Sequence, residues 1–313
     1  MYEHRKSEKL KKLEKEAVLK ERMVLISAVS FFIFILPYIL HLAVNGIQPA
    51  QKEYFGSSTQ TICVRMGEST EHIQLEAYLT GALARHGEAG YEDEALKAIA
   101  VILRSNAVCA IIENKDVFRE SFYTDEELRI LWKEDYEANL QRYRDIIVAT
   151  EGIVVFYDGE IVRVPYHLLS AGTTRDSSIY VNSLAYVTSV DSAEDMYADG
   201  YYSTREIKKD ILGEDFEVLS TDHLGYALIV KVGNREMSGE EFRRAYGLPS
   251  ACFDYDLQGN NYFFEIRGCG HGFGVSLYGT NALAHKGWGF AEILEYYLPG
   301  IEIRKENRSD ISA

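Results

Sequence analysis

The stretch "RGCGHGFGVSLYGTNALAHKG", residues 267–287, sets glycines at 268, 270, 272, 274 and 279 among Cys269, His271, Ser276 and Tyr278. Glycine loses more conformational freedom on folding than any other residue, so such a run implies left-handed backbone or a very close approach. A tight β-turn region has the same composition. A dinucleotide-binding reading of 268–274 fails, because no strand–turn–helix unit with a downstream acid surrounds it. Beyond the glycines, "YGTNALAHKGWGFAEILEYYLPG" predicts two helices split at Gly287–Gly289 and stopped by Pro299.

Working back toward the N-terminus, "FDYDLQGNNYFFEIRG" reads as a hairpin around "QGNN". "MSGEEFRRAYGL" opens with Ser238 and Glu241 in capping-box spacing, which starts a short helix. "IVVFYDGEIVRVPYHLLSAG" begins β-rich alternation, with "YDGE" as its turn. Residues 113–146 are acidic and helical in pattern. The run "EALKAIAVILRSNAVCAII", 94–112, is apolar nearly all round and predicts a buried helix, with Lys97 and Arg104 seven apart on one stripe. In 75–86, Leu75, Tyr78, Leu79, Ala82, Leu83 and His86 share one helix face, and "GEAGYED" breaks the chain after them.

The chain has 313 residues, 47% of them apolar, which is ample for a packed core. Its net charge of −15 is uneven. Residues 1–22 hold eight Lys/Arg against five Glu, leaving 25 basic and 43 acidic residues beyond, a net of −18. A body that acidic excludes nucleic acid as a partner, because phosphate binding needs a basic face. It also means that recognition of an anionic polymer must be local, in a cleft, or must rely on a protein partner.

"MVLISAVSFFIFILPYILHLAV", residues 23–44, contains no Lys, Arg, Asp or Glu. Its length matches what a helix needs to cross the roughly 30 Å apolar core of a bilayer. The basic flank precedes it, and short basic flanks stay in the cytoplasm. The expected layout is a cytoplasmic basic segment (1–22), an uncleaved transmembrane helix (23–44), a polar juxtamembrane linker (45–65), an extracytoplasmic domain (66–302) and a tail (303–313). That layout is a single-pass cell-membrane protein with its main domain outside. The expected fold class is α+β, with an N-terminal helical part and a β-rich C-terminal part. Cys63, Cys109, Cys252 and Cys269 show no Cys-x-x-Cys pairing or zinc spacing, and sequence fixes no disulfide connectivity among them.

Four segments, in order, resemble the stage II sporulation protein D family, which also includes amidase enhancers. "GCGHGFGVSLYGTNALAHKGWGFAEILEYYLPG" resembles its C-terminal signature of a glycine-flanked His-Gly, a Ser, Tyr-Gly-x-Asn and a helix closing in Tyr-Tyr-x-Pro-Gly. "MSGEEFRRAYGLPS" resembles its Ser-x-x-Glu-Phe-Arg segment. "YHLLSAGTTRDS" resembles its His-x-x-Ser-Gly-Gly-x-Thr loop, with Ala171 and Thr173 as departures. "EALKAIAVILRSNA" resembles its Glu-Ala-Leu-Lys-Ala-Gln-Ala helix. The resemblance covers roughly residues 70–302.

The resemblance implies a peptidoglycan lytic transglycosylase that works in sporulation with partner cell-wall hydrolases. A hydrolase of glycosides uses two carboxylates, whereas a lytic transglycosylase manages with one acid that protonates the leaving oxygen. This chain departs at that acid. Aligned without gaps, the family's catalytic glutamate falls on His86 in "ALARHGEAGYEDEALK". Three readings stay open. His86 acts as the acid; Gly87 ends the helix and turns Glu88 into its place; or the domain binds glycan, or recruits and activates another hydrolase, without cutting. As substrate-binding residues the resemblance points to Lys97, Arg104, Ser170, His271, Ser276, Tyr278 and Asn281, with the glycines shaping one wall of the cleft. Against this stand ion pairs of Lys97 and Arg104 with Glu94 or Glu76, and a polar network around His271 that only joins loops. Some family members carry Cys and His after the buried helix. Residues 113–146 hold neither, so no metal and no other cofactor is expected.

Overall fold

In the computed structural model the described residues are 60–66, 69–113, 118, 121–179 and 184–307. The basic segment, the expected transmembrane helix and most of the expected linker lie outside them. The described part is mixed α and β.

An antiparallel hairpin, β1 (Thr61–Met66) and β2 (Ser69–Gln74), leads directly into α1 (Leu75–His86). Next comes α2 (Asp93–Ile112), then α3 (Asp125–Trp132) and α4 (Tyr136–Ala149). Within the stretch 113–146, residues 125–132 and 136–146 are thus helical, as the pattern predicts. The 20 residues of α2 have the length and apolarity of a membrane span. Most of them are nevertheless buried inside the fold, with α1, α4 and the later helices packed around them.

Two charges sit inside this helical layer. Arg104 of α2 is fully buried and forms a bidentate pair with Glu76 of α1, at 2.7 and 3.3 Å. The same guanidinium donates to the carbonyls of Thr150 (2.7 Å) and Ile147 (3.2 Å), at the end of α4. One side chain therefore joins three helices and satisfies orphan carbonyls at a helix C-terminus.

The β-rich half follows. Strand β3 (Ile153–Tyr157) turns through Asp158–Gly159, both at positive φ, into β4 (Glu160–Ile161). This is the twist-matched turn that "DG" predicts. Strand β13 (Glu302–Lys305) returns from the C-terminus to pair with β3. Strand β5 (Tyr166–His167) pairs in parallel with β12 (Val275–Ser276). Between them lie β6 (Tyr202–Lys208), α5 (Lys209–Leu212), β7 (Glu217–Thr221), β8 (Ala227–Val232) and β9 (Arg235–Ser238). They are followed by α6 (Gly239–Ala245), β10 (Phe253–Gln258) and β11 (Asn261–Arg267). The sheets β10–β11–β6 and β7–β8–β9 enclose an aromatic core around Phe216, Phe242, Phe253 and Phe264. The capping box of Ser238 and Glu241 is formed. Helices α7 (Leu277–His285) and α8 (Phe290–Tyr297) pack back on α2.

Strand pairing reaches past both expected domain ends. Residues 61–65 are in β1, not in a linker, and 303–305 are in β13, not in a tail. None of the four cysteines is in a disulfide among the described residues, and the Cys109 thiol donates to Ile161 O (3.5 Å).

Replacing Glu76 by Gln or Arg104 by Met leaves the partner buried without its counter-charge. Such a change is expected to lower stability by about 3–5 kcal/mol, read from the midpoint of urea unfolding. A loss below about 1 kcal/mol would show that the pair does not tie the helices.

Candidate functional site

The glycine loop 268–274 packs against β5 and is not part of the groove lining described below. Gly268, Gly270, Gly272 and Gly274 all have positive φ. At Gly270 (φ 113°) an added Cβ would lie 2.6 Å from the Cβ of His167, so the backbone presses directly on β5. The loop is also held from the other side by Arg175. This buried guanidinium donates to Asp222 (2.8 Å) and to the carbonyl of His271 (3.1 Å), between the rings of Tyr226 and Phe273, each 4.4 Å away.

Within this packing His271 accepts a hydrogen bond at Nδ1 from Phe273 N–H (3.0 Å). Its ring lies 5.9 Å from that of His167, whose Nδ1 donates to the carbonyl of Phe273. Burial lowers the pKa of His271 to about 4 and that of His167 to about 3. His271 therefore belongs to a network joining loops, and it is not among the residues that line the groove described below.

A second network has a single carboxylate at its centre. Asp195 is buried, and its Oδ2 accepts from Ser170 N–H (2.7 Å) and Ser192 Oγ (3.0 Å). Its Oδ1 accepts from Ser276 Oγ (2.7 Å). Burial raises the Asp195 pKa, and these hydrogen bonds work against that shift. Ser276 also caps α7 by accepting from Gly279 N–H at 3.1 Å. Ser170 and Ser276 have no exposed surface, so both act inside the frame and neither is open to a substrate. Arg104 is closed off with Glu76, and Lys97 pairs with Glu94 at 2.6 Å. For both cations the internal ion pair is what the fold contains.

Around this frame opens a groove of about 390 Å³. Glu88, Gly90 and Tyr91 line it from the turn between α1 and α2. Leu168 and Leu169 line it from the end of β5, Tyr197–Asp199 from the segment after Asp195, and Tyr278 and Asn281 from α7. Three sequence-predicted residues therefore meet: Glu88, Tyr278 and Asn281. Asn281 Oδ1 also accepts from Glu92 N–H (2.8 Å), joining α7 to the start of α2.

Gly87 decides where Glu88 goes. It leaves the helix in an extended conformation (φ −114°, ψ 117°), and an added Cβ there would lie 2.5 Å from Leu96. In a continuing helix Glu88 would stand about 200° round from His86; with the helix ended it faces the groove. The turn is clamped from α4: Tyr143 OH donates to Gly87 O (2.6 Å), and Arg142 donates to Ala89 O (2.6 Å) and Tyr91 O (2.5 Å). Burial, then Glu88 and Asp195 nearby, raise the pKa of the Tyr91 phenol, which stays neutral.

His86 is half-buried outside the groove lining, its Nε2 3.3 Å from Tyr166 OH. Burial, with the Arg85 charge next, lowers its pKa to about 4. Near neutral pH the imidazole is therefore unprotonated. Sequence reading missed Asp195, Tyr91, Tyr197, Arg142 and Tyr143. The first three carry no periodic signal, and the last two look like ordinary residues of an acidic helix.

The comparisons with known proteins bear on the family resemblance. A family model, SpoIID, described as stage II sporulation protein, matches residues 66–157. Stage II sporulation protein D of Bacillus subtilis is 26% identical over 260 residues, covering 75% of this chain and 76% of that protein. The Bacillus amyloliquefaciens protein of the same name is 25% identical, covering 83% of this chain and 82% of its own length. An uncharacterised protein of Brachyspira hyodysenteriae is 24% identical, covering 84% and 74%.

Three histidines with lowered pKa set the acid response. Between each folded value, about 4 for His86 and His271 and about 3 for His167, and the ordinary 6.5, the unfolded chain binds more protons. Stability is therefore complete above pH 6.5 and falls as pH drops through that window, by up to about 1.4 kcal/mol per pH unit for each proton. The raised pKa of Asp195 opposes this with one group only. Urea midpoints measured from pH 7 to pH 5 should fall steadily; a flat profile would contradict the burial of these rings.

The ordered motifs, the family-model match over residues 66–157 and the two relatives named as stage II sporulation protein D together support the SpoIID family and a sporulation-related protein.

Proposed function

We propose that the groove holds a glycan strand of peptidoglycan and that Glu88 is the acid available there for cleavage. The observation that carries this reading is the break at Gly87, which turns Glu88 into one groove with Tyr278 and Asn281. In a lytic transglycosylase step the Glu88 carboxyl gives its proton to the glycosidic oxygen between N-acetylmuramic acid and N-acetylglucosamine. It then helps the muramic 6-hydroxyl close on C1, so the product is a 1,6-anhydro sugar and no second carboxylate is required. Tyr278 and Asn281 orient the sugar. In this proposal residues 23–44 anchor the protein in the cell membrane, with residues 1–22 cytoplasmic and the groove outside, facing the wall.

A second reading has its own support. Glu88 is exposed, whereas an acid that must hold its proton near neutral pH belongs in a partly buried cleft. His86, where the resemblance puts the family's catalytic acid, is neutral near pH 7. On that reading the domain binds glycan and recruits or activates a separate cell-wall hydrolase, as an amidase enhancer does.

Digestion of denuded sacculi separates the two. Cleavage by Glu88 predicts 1,6-anhydro-muropeptides from the wild-type chain and from His86→Ala, and their loss in Glu88→Gln. Release that survives Glu88→Gln would remove Glu88 from the mechanism. Sacculus binding with no release by the wild-type chain would select the recruiting role.

A further inference from the structure

We infer that the groove carries an aromatic subsite in which Tyr197 receives the face of an uncharged N-acetylhexosamine ring. The inference rests on the glycan reading above and names which part of the strand the Tyr197 segment takes.

Tyr197 is 78% exposed although it lines the same groove as the Glu88 turn. A tyrosine left in water forfeits the burial of a large apolar ring. The backbone that carries it is nevertheless fixed. Asp195, two residues earlier, receives three hydrogen bonds from Ser170, Ser192 and Ser276. Ala198 N–H closes back on Asp195 O (3.1 Å), and Tyr201 N–H on Ala198 O (3.1 Å). An exposed ring on a rigid base is preorganised to bind, because little ordering remains to be done when a partner arrives. Leu168, 43% exposed, continues the apolar surface in the same groove.

Charge chooses the occupant. The groove lining contains two acidic side chains, Glu88 and Asp199, and no basic one. A sugar bearing a free carboxyl would meet like charge at this wall with no cation to answer it. A neutral hexosamine meets none. Its axial C–H groups carry partial positive charge and suit the negative face of the Tyr197 ring, while its hydroxyls and acetamido group remain free for Asp199 and water.

Calorimetric titration of the detergent-solubilised full chain with chitotetraose, a neutral β-1,4-linked N-acetylglucosamine tetramer, tests this. Tyr197→Ala should bind about tenfold more weakly than wild type, the loss of one well-placed aromatic contact. Tyr197→Trp should keep the wild-type affinity within about twofold, since it is the ring face and not the hydroxyl that is used. A tetrasaccharide alternating N-acetylglucosamine with N-acetylmuramic acid, its lactyl carboxyls free, should bind more weakly than chitotetraose, and Asp199→Asn should narrow the gap. Wild-type binding with Tyr197→Ala unchanged would overturn the subsite and leave the groove reading intact. Equal affinity for the two tetrasaccharides would overturn the charge selection. If the wild-type chain bound neither sugar, the groove reading would fall and the subsite with it.

Discussion

The buried carboxylate of Asp195 is the constraint on which the site depends. Its two oxygens take hydrogen bonds from Ser170, at the end of the β5 loop, from Ser192 in its own segment and from Ser276, at the cap of α7. Those three segments supply three of the groove's four walls. The fourth, the turn carrying Glu88, is joined to α7 by the bond from Glu92 N–H to Asn281 and is clamped from below by Arg142 and Tyr143. A buried charge is costly unless its hydrogen bonds are met. Here meeting them fixes the relative position of loops that lie 25 to 81 residues from Asp195 in sequence.

The glycine-rich signature has its place in the same arrangement. Its alternating positive-φ glycines let the chain lie against β5 at a distance that no side chain would allow. This packing sets the register of β12 on β5 and so delivers Ser276 to Asp195 and Tyr278 to the groove. The glycines thus serve geometry first, and Tyr278 and Asn281 beyond them face the groove. His271, the most conspicuous side chain of the stretch, acts as a strut.

Much of the fold is legible because it is local. The three- and four-residue spacing from Leu75 to His86, the turn at Asp158–Gly159, the capping box of Ser238 and Glu241 and the break after Gly87 all depend on neighbouring residues. The site is legible only in part. Glu88, Tyr278 and Asn281 line the groove, but Lys97 and Arg104 do not, because a charged stripe on a helix looks the same whether it faces a ligand or an internal acid such as Glu94 or Glu76. The motifs single out Ser170 and Ser276, yet only tertiary contact shows them turned inward to Asp195. Asp195 itself lies in an irregular segment with no repeat or motif to mark it. The membrane-anchor expectation for residues 23–44 lies outside the described residues.

The most direct test of the account is hydrogen–deuterium exchange of the full chain with and without denuded glycan strands. Added protection should fall at 88–91, 168–169, 197–199 and 278–281, the four walls around the Asp195 frame. Protection centred on the 268–274 loop, or none at any of the four, would contradict the assignment of this groove as the place where the glycan lies.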